Sequence, residues 1–405
     1  MNSNSKHIVI LTGQHLVANP RVWKEANTLY QNGYRVTILT TFYDAAKLAA
    51  DQQLLLPGVV YKAGVNMITG QANFFERTMP RVWRRVAMLV KKLSGADSVH
   101  LLMYSPAQQL KNALAEQADL YIAHQEAGLL IGTELIELEK KVAFDIEDWY
   151  SRDYINEFRP VALLKRKEAL AAEKGAYISC PSNAMANALA DAYSMKRKPT
   201  VLYNGFSITE NEKLGFTTTL LPNSIVWFSQ VVGPHRGLET LIEALNFINH
   251  PLELHLLGEI VQGYDEVLNS LLKKKHLLVF HKPVAHAQLL PFLHQFKVGL
   301  AIEKTKPDSR NTTVTNKILQ YLQAGNFVVA TSTLGQKEIA NEFIHQIILV
   351  DEYQPKAWAD AIVALLSRVM PADVTTTFQK FSDSYAWQAQ EQKLIAIVKQ
   401  AIEAE

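Results

Sequence analysis

The chain has 405 residues, of which 48% are hydrophobic and 20% are charged. It is longer than a single hydrophobic core usually serves, so the length predicts two domains. The 41 basic and 39 acidic side chains leave a formal net charge of +2. This balance gives no global electrostatic field for nucleic acid or another acidic polymer, and no nucleic-acid partner is expected.

Cys180 is the only cysteine. A single cysteine excludes an internal disulfide framework and a thiolate zinc cluster, and it fits a reducing compartment. The amino-terminal apolar run spans about five residues, too few for a signal peptide or a membrane span. We expect a soluble cytoplasmic protein, and a peripheral position at the inner face of the cell membrane stays open.

The first half of the chain alternates apolar strand patterns with helical patterns. Residues 7–12 and 34–41 predict buried parallel strands, and between them Asn19-Pro20 starts a helix that Asn32-Gly33 ends. Further strands are predicted at residues 59–63, 120–124, 141–144, 176–180 and 200–203. This order predicts one open, doubly wound sheet.

The alternation resumes after a looser stretch at residues 209–223, where we predict the linker. Strands are predicted at residues 224–229, 252–257, 277–281, 298–302, 327–330 and 346–350. Helices are predicted at residues 237–247, 316–324 and 385–405. The expected α/β fold has domains at residues 1–205 and 206–382, and a final helix at 383–405 that packs back towards the first domain.

The loops that follow strands are the candidate site, because open parallel sheets bind ligands beyond the carboxyl ends of their strands. Four such loops carry polar side chains: residues 13–15, 124–126, 145–148 and 303–316. We expect them to line a crevice between the two domains that binds an elongated ligand.

Two segments suit a nucleoside diphosphate, which needs cations and backbone N–H groups at the start of a helix. The turn at residues 233–237 places Arg236 just before a predicted helix. Lys304, Lys306, Arg310, Asn316 and Lys317 surround a strand end and the next helix start. A solvated surface loop is the alternative for this second segment.

Asp145, Glu147 and Asp148 form a carboxylate cluster after a predicted strand. The cluster could bind metal, orient substrate hydroxyls or cap the next helix. Metal is discounted, because hard cations need more oxygen ligands in a fixed geometry. His124 could orient a sugar hydroxyl or stabilise a carbonyl, and a structural role is the alternative for both His124 and His15.

Residues 77–93, RTMPRVWRRVAMLVKKL, predict a basic amphipathic helix. From Arg81 onward the apolar residues fall on one helical face, and arginine and lysine occupy the rest. Such a helix suits the surface of an anionic membrane. The alternative is an ordinary surface helix whose apolar face joins the core of the first domain.

Taken together, these segments resemble the retaining glycosyltransferases of the GT-B fold, family 4, also called glycosyl transferases group 1. The resemblance spans nearly the whole chain. In chain order it is carried by TGQHLVANPRVWKEA, NGYRVTIL, FDIEDWYS, LYNGF, SQVVGPHRGLETLIEAL, SRNTTVTNKILQYLQAGNFVVAT and YAWQAQ. It implies two Rossmann-like domains facing a central crevice, an acceptor-side domain first and a nucleotide-sugar donor domain second.

The resemblance also implies roles for single residues. Gly13, Gln14 and His15 would form a wall near the donor phosphates, and His124 would lie beside the transferred sugar. Arg236 stands where a lysine is usual and would contact the diphosphate. Gln230 stands near the position of a missing second cation, for which Lys304, Arg310 or Lys317 would substitute.

The paired glutamates typical of this family are replaced by Thr312 and Gln320. Part of their work would pass to Arg310, Asn311, Asn316 and Lys317. The remaining assignments are Gly258, Pro283 and Val284 for donor binding, Arg21, Glu147 and Asp148 for the acceptor side, and His124, Arg236, Glu303 and Asp145 for catalysis.

The implied reaction moves a sugar with retention from a nucleoside diphosphate donor to a hydroxyl of a glycan or lipid-linked acceptor, in bacterial surface polysaccharide or glycoconjugate assembly. No metal or other cofactor is expected. Two alternatives stay open. A non-hydrolysing nucleotide-sugar epimerase would need no acceptor, and a catalytically degenerate binding or scaffold protein would explain the missing glutamates.

Overall fold

The computed structural model describes residues 5–153, 156–208, 220–273, 275–369 and 374–404. These residues form two compact units, each built around its own parallel sheet. The first unit contains the described residues up to Pro181, those of Met185–Leu202, and those from Glu391 onward. The second contains Ser182–Ala184 and the described part of Tyr203–Gln390.

The first unit contains a seven-stranded sheet in the order β3-β2-β1-β4-β5-β6-β7, and every neighbouring pair is parallel. Its strands are β1 (His7–Leu11), β2 (Arg35–Phe42), β3 (Val60–Asn66), β4 (Leu120–His124), β5 (Val142–Asp145), β6 (Ile178–Cys180) and β7 (Thr200–Val201). The prediction of one doubly wound sheet is confirmed.

The sequence explains the central position of β1, β4 and β5. All residues of these three strands are buried, as continuous apolar runs require when helices cover both faces of a parallel sheet. The first helix begins at Pro20 after the cap residue Asn19. It ends at Gln31, and Gly33 follows with a φ of 87° that favours glycine.

The helices of this half of the chain cover the sheet and connect its strands. They are Pro20–Gln31, Ala45–Leu54, Phe74–Ser94, Pro106–Ala115, Gln125–Glu137, Val161–Lys174 and Asn183–Ala192, with short 3-10 turns at Leu16–Ala18, Val99–Leu101 and Tyr150–Arg152. No helix among the described residues is both long and apolar enough to cross a membrane.

The second unit contains a six-stranded parallel sheet in the order β10-β9-β8-β11-β12-β13. Its strands are β8 (Ser224–Val232), β9 (Glu253–Ile260), β10 (Leu277–His281), β11 (Val298–Ala301), β12 (Phe327–Thr331) and β13 (Ile347–Val350). Its core includes the fully buried side chains of Trp227 and Trp358. The Trp358 indole N–H donates to the Asp351 carbonyl at 3.1 Å, which satisfies its polar atom.

The helices after β8 include the three that were predicted. They are Leu238–Leu245, Tyr264–Leu271, His286–Leu293, Asp308–Thr312, Asn316–Gln323, Leu334–Ala340, Pro355–Ser367, Val374–Ser384 and Trp387–Glu403. The final helix buries Leu394 and Val398 along one side. Residues 209–219 of the predicted linker lie outside the described residues.

Each sheet has one point where the strand order reverses. In the first sheet the chain moves outward from β1 to β3 and then returns to place β4 beside β1. In the second sheet it moves from β8 to β10 and returns to place β11 beside β8. The loops after β1 and β4, and those after β8 and β11, therefore flank the crevices in which such sheets bind ligands.

Candidate functional site

A cationic pocket lies at the reversal point of the second sheet. The space within it, open solvent included, is about 250 Å³. Its lining side chains come from the loops after β8 and β11 and from the start of the helix Asn316–Gln323: His235, Arg236, Ile302, Glu303, Lys304, Arg310 and Lys317.

The turn after β8 holds Arg236 at the edge of this pocket. His235 and Gly237 on either side of it have φ angles of 65° and 79°. A Cβ atom on Gly237 would lie 2.7 Å from Cδ1 of Ile302, so glycine also allows the turn to pack closely against the loop after β11. The helix Leu238–Leu245 begins directly after Gly237.

The loop after β11 contributes one carboxylate, and that carboxylate is already paired. Oε1 of Glu303 lies 2.6 Å from Nζ of Lys317, and the backbone N–H of Glu303 donates to the Thr331 hydroxyl at 2.9 Å. The Lys317 ammonium also lies 5.7 Å from the centre of the Trp227 ring. Glu303 therefore orients Lys317 and neutralises one of the pocket's four cations.

The other three cations face the pocket without a counter-charge. Within the described parts of the chain, no carboxylate lies within 4.0 Å of the charged groups of Arg236, Lys304 or Arg310. Each is partly exposed, so each can bind a ligand without first breaking an ion pair. Guanidinium and ammonium groups gathered at one point bind phosphate oxygens through charge-assisted hydrogen bonds.

The two residues in the paired-glutamate positions do not line this pocket. Thr312 is buried, and its hydroxyl lies 3.0 Å from the Asp308 carbonyl and 3.2 Å from the Ser309 carbonyl. Gln320 is buried on the helix Asn316–Gln323. In this structure the Thr312 hydroxyl therefore bonds within its own short helix.

Two amides near these positions occupy different surroundings. Oδ1 of Asn311 accepts a hydrogen bond from the backbone N–H of Leu334 at 3.1 Å, so this amide joins the helix Asp308–Thr312 to the start of the helix Leu334–Ala340. Asn316 is the partly buried first residue of the helix Asn316–Gln323, directly before Lys317. Neither side chain lines the pocket.

The remaining predicted donor residues lie away from the pocket lining. A Cβ atom on Gly258 would lie 2.4 Å from the Ser229 carbonyl oxygen, so glycine is required here by the packing of β9 on β8. Gln230 is exposed at an irregularity of the β8–β9 pairing. Pro283 is exposed and Val284 partly buried just after β10.

The reversal point of the first sheet holds a buried network of charged side chains centred on His124. Nε2 of His124 lies 3.0 Å from Glu25, and Nδ1 lies 3.0 Å from Glu147 and 3.3 Å from Asp145. Burial alone would lower the pKa of His124. The charge of Glu25 and the hydrogen bonds to Asp145, Glu147 and Glu25 outweigh burial and raise the pKa well above 6.5.

Arg21 fixes the opposite side of this network. Its guanidinium forms a two-point ion pair with Asp145, and its Nη1 donates to the Leu202 carbonyl at 2.6 Å. The Ser179 hydroxyl donates to Asp145 at 2.6 Å. Burial would raise the pKa of Asp145, but Arg21 and the hydrogen bond from His124 hold it well below 3.8.

These contacts change the predicted roles of His124, Asp145 and Arg21. Both ring nitrogens of His124 already face carboxylates, and the side chain is fully buried. His124 therefore has no ring N–H left for a sugar hydroxyl. Asp145 and Arg21 are equally buried and satisfy each other. In this structure the three side chains form a buried network in which each charge is paired with another.

The two carboxylates predicted for the acceptor side, Glu147 and Asp148, are more exposed to solvent than Asp145. Glu147 keeps 18% of its side chain exposed, and it also accepts a hydrogen bond from the Asn19 amide at 2.7 Å. Asp148 is exposed. Of the cluster after β5, Glu147 and Asp148 are the carboxylates that solvent reaches.

The network contains two buried residues to which the sequence analysis gave no role, Lys24 and Glu25. They share a helical face with Arg21, and this spacing is the signal that could have found them. Burial, reinforced by the charge of Arg21, holds the pKa of Lys24 well below 10.5. The sequence analysis also gave no role to His235 and Ile302 of the cationic pocket. Neither side chain suggests phosphate binding by its type.

Glu25, His124 and Asp145 also have the spacing of a metal site, with ligand atoms within 4.8 Å of one another. Their chemistry does not fit a cation. Asp145 is occupied by Arg21, and a histidine with a raised pKa keeps the proton that a metal must displace. We assign no metal to this group.

The predicted glycine loop after β1 is mainly structural. Nδ1 of His15 lies 2.5 Å from Asp51, and Nε2 accepts from the backbone N–H groups of Tyr43 and Asp44 at 3.4 and 3.3 Å. His15 is fully buried. A Cβ atom on Gly13 would lie 2.7 Å from Cβ of Ala127. Gln14 is the exposed member of this loop.

Residues 222–368 match the family model described as Glycosyl transferases group 1. The matched region lies in the second unit and includes every residue that lines the cationic pocket. Among curated protein sequences, none matches the chain significantly.

Solved structures are similar over nearly the full chain. HepE from Anabaena in complex with UDP and glucose has a TM-score of 0.67 at 14% identity, covering 97% of this chain and 99% of that one. A TarM mutant from S. aureus in complex with fondaparinux, α-GlcNAc-glycerol and UDP has a TM-score of 0.66 at 10% identity, covering 99% and 100%. UDP-GlcNAc 2-epimerase from Methanocaldococcus jannaschii has a TM-score of 0.53 at 12% identity, covering 98% and 99%.

At these identities the likeness concerns the fold alone. The fold consists of two parallel-sheet, Rossmann-like α/β domains of the GT-B type, which confirms the predicted fold class. Within it, residues 222–368 are the part that matches the glycosyl transferases group 1 family model.

Proposed function

We propose that the protein is a glycosyltransferase that binds a nucleoside diphosphate sugar through its second unit. The observation that carries the proposal is the pocket after β8 and β11, where Arg236, Lys304 and Arg310 have no carboxylate partner among the described residues. The family match over residues 222–368 covers this pocket and supports the same reaction class.

The pocket suits the chemistry of a departing diphosphate. Negative charge develops on the leaving group when the sugar bond breaks, and fixed cations stabilise that charge. Arg236 is held before the helix Leu238–Leu245, and Lys317 is held by Glu303. In this proposal Glu303 is a positioning residue that acts through Lys317.

The acceptor and the stereochemistry rest on the family resemblance. We propose transfer with retention, as in family 4, to a hydroxyl of a glycan or lipid-linked acceptor in bacterial surface polysaccharide or glycoconjugate assembly. The TarM complex contains UDP together with α-GlcNAc-glycerol and fondaparinux, which supports this kind of acceptor. The exposed carboxylates Glu147 and Asp148 are the candidates for binding acceptor hydroxyls.

We also propose that the reaction needs no metal ion. The pocket's own cations supply the charge that a divalent ion would otherwise supply to the diphosphate. Turnover should therefore persist in EDTA. Loss of turnover that returns with added Mg²⁺ would contradict this part of the proposal.

Binding calorimetry with UDP, GDP, ADP and UMP tests donor binding directly. We expect at least one diphosphate to bind, and to bind more tightly than its monophosphate. Arg236→Ala should weaken that binding about tenfold to a hundredfold, since a hydrogen bond to a charged group contributes about 1.5–3 kcal/mol. Arg197→Ala is the matched control, because Arg197 is exposed and does not line the pocket.

The calorimetry and a product assay with nucleotide sugars together separate the two alternatives. If the protein converts the donor to another nucleotide sugar with no acceptor present, it is an epimerase. If none of the diphosphates binds, the scaffold alternative is favoured and the proposal fails. With an acceptor in hand, NMR of the product's anomeric proton reports retention or inversion.

A further inference from the structure

The helix Phe74–Ser94 is well defined by its own end signals. At its start Asn73 and Glu76 form a reciprocal capping box. At its end Gly95 takes a left-handed conformation with a φ of 72° and caps the last turn. These signals specify a 21-residue helix whose outer surface is free to serve another purpose.

This helix buries only a narrow strip of its surface. Pro80 and Ala87 are its buried residues. Beside them, Nη1 of Arg84 donates to the Tyr104 hydroxyl at 3.4 Å, and Nζ of Lys91 lies 2.5 Å from Asp97. Residues 80, 84, 87 and 91 share one helical face, so the helix is attached through a small and largely polar stripe.

The apolar face is the one that points to solvent. Trp83 is 51% exposed, Leu89 57% and Leu93 77%. The exposed apolar side chains lie at the spacing of one broad helical face: Phe75, Met79, Val82, Trp83, Val86, Leu89, Val90 and Leu93. The alternative in which this face joins the core of the first domain is therefore wrong.

A row of cations borders this apolar face. Arg81, Arg85 and Lys92 are exposed and lie next to it on the helix. From residue 81 to residue 94 the helix carries no acidic side chain. An apolar face bordered by arginine and lysine complements the acyl chains and negative headgroups of an anionic bilayer.

A second copy of the chain fits this surface less well. Pairing two such faces would bring both basic rows together, and this part of the helix has no carboxylate to neutralise them. The helix also carries too many charges to span a bilayer. It therefore has the character of a helix that lies in the membrane surface.

We propose that the helix Phe74–Ser94 docks the protein on an anionic lipid surface. Its apolar face enters the boundary between headgroups and acyl chains, and Arg81, Arg85 and Lys92 contact the phosphates. This docking does not depend on the proposed transfer reaction, although it would bring the protein to a lipid-linked acceptor.

Vesicle co-sedimentation of the full chain tests the proposal. We expect binding to vesicles of phosphatidylcholine with phosphatidylglycerol, and little binding to phosphatidylcholine alone. The triple variant Arg81→Gln, Arg85→Gln, Lys92→Gln should lower the partition coefficient on the order of a hundredfold, since each cation contributes about fivefold. The matched control neutralises three exposed cations elsewhere: Lys196→Gln, Arg197→Gln and Lys198→Gln.

An apolar pair of variants tests the other half of the docking surface. Leu89→Ser with Leu93→Ser should lower partitioning about tenfold or more, because two exposed side chains no longer insert. Ile344→Ser with Val369→Ser is the control, since both are exposed apolar residues outside the helix. Far-UV circular dichroism, and the affinity for whichever of UDP, GDP and ADP binds in calorimetry, should be unchanged in all variants. This separates the test from that of the donor site.

Three results would overturn the proposal. The first is no binding of the unmodified protein to anionic vesicles. The second is an equal loss of binding in the helix variants and their controls. The third is a concentration-dependent oligomer that the helix substitutions abolish while vesicle binding stays unchanged, which would make the face a contact between copies.

Discussion

Raising the pH should lower the free energy of unfolding, because His124 is enclosed by Glu25, Asp145 and Glu147 and keeps its proton in the folded protein. Its pKa is raised well above 6.5 in the folded protein. Below about pH 6.5 both the folded and the unfolded chain carry this proton, and the stabilising contribution is complete. Above that pH the unfolded chain releases the proton and the folded chain keeps it, so stability falls until the folded pKa is passed.

The slope of the free energy of unfolding against pH follows from the one proton that the folded and unfolded chains bind differently. It approaches about 1.4 kcal/mol per pH unit wherever the unfolded chain has released the proton and the folded chain still keeps it. His7 and His281 have lowered pKa values, so their effect on stability has the opposite sign and lies mainly below pH 6.5. Lys24 has a lowered pKa and opposes the effect once its folded form loses its proton.

The assay compares the unmodified chain with His124→Gln in urea unfolding at several pH values above 6.5, followed by circular dichroism. The free energy of unfolding should fall more steeply with pH in the unmodified chain than in the variant. Lys24→Met removes the opposing group and should make the fall steeper. Equal slopes in the unmodified chain and His124→Gln would refute the reasoning, as would NMR showing that His124 titrates near pH 6.5.

Other substitutions test single contacts. Asp145→Asn leaves the buried guanidinium of Arg21 without its counter-charge and should cost about 3–5 kcal/mol of stability in urea unfolding. Asp360→Asn, in an exposed ion pair, is the control and should change the stability little. Similar costs for the two variants would contradict the stabilising role of the buried network. Lys317→Met should weaken UDP binding, because the pocket loses a cation, and it should lower stability, because Glu303 is left without its cation. Adding Glu303→Gln should restore the stability. Calorimetry should show that it does not restore the affinity for UDP. Gly258→Ala places a methyl group 2.4 Å from the Ser229 carbonyl oxygen. It should lower the free energy of unfolding by about 2 kcal/mol or more, measured by thermal unfolding. An unchanged melting temperature would show that β9 can shift to accommodate the methyl group.

The strands were predictable because their signal is local. Buried parallel strands such as β1 and β4 are continuous apolar runs, and the loops that follow them must lie at one edge of the sheet. The surroundings of His124 were not predictable in this way. Its partner Glu25 is 99 positions away along the chain, and whether a strand-end histidine faces carboxylates or a ligand depends on tertiary packing.

The helix Phe74–Ser94 shows a different limit of sequence patterns. Its periodicity predicted an amphipathic helix correctly. The same periodicity fits a face that packs on a core and a face that binds a membrane. The decision depends on which stripe the neighbouring chain covers, and here Tyr104 and Asp97 bind the stripe that carries Arg84 and Lys91.

The two sheets use the same topological position for opposite electrostatic purposes. At the reversal point of the first sheet, Arg21 and His124 are enclosed with the carboxylates of Glu25, Asp145 and Glu147. A buried network whose charges are already paired with one another has little to gain from an added ion, because binding one would break existing pairs. At the reversal point of the second sheet, Glu303 neutralises only Lys317, and the other cations stay unpaired among the described residues. An anion that binds there gains new charge-assisted hydrogen bonds without breaking an existing ion pair, which is why we place the diphosphate in the second unit.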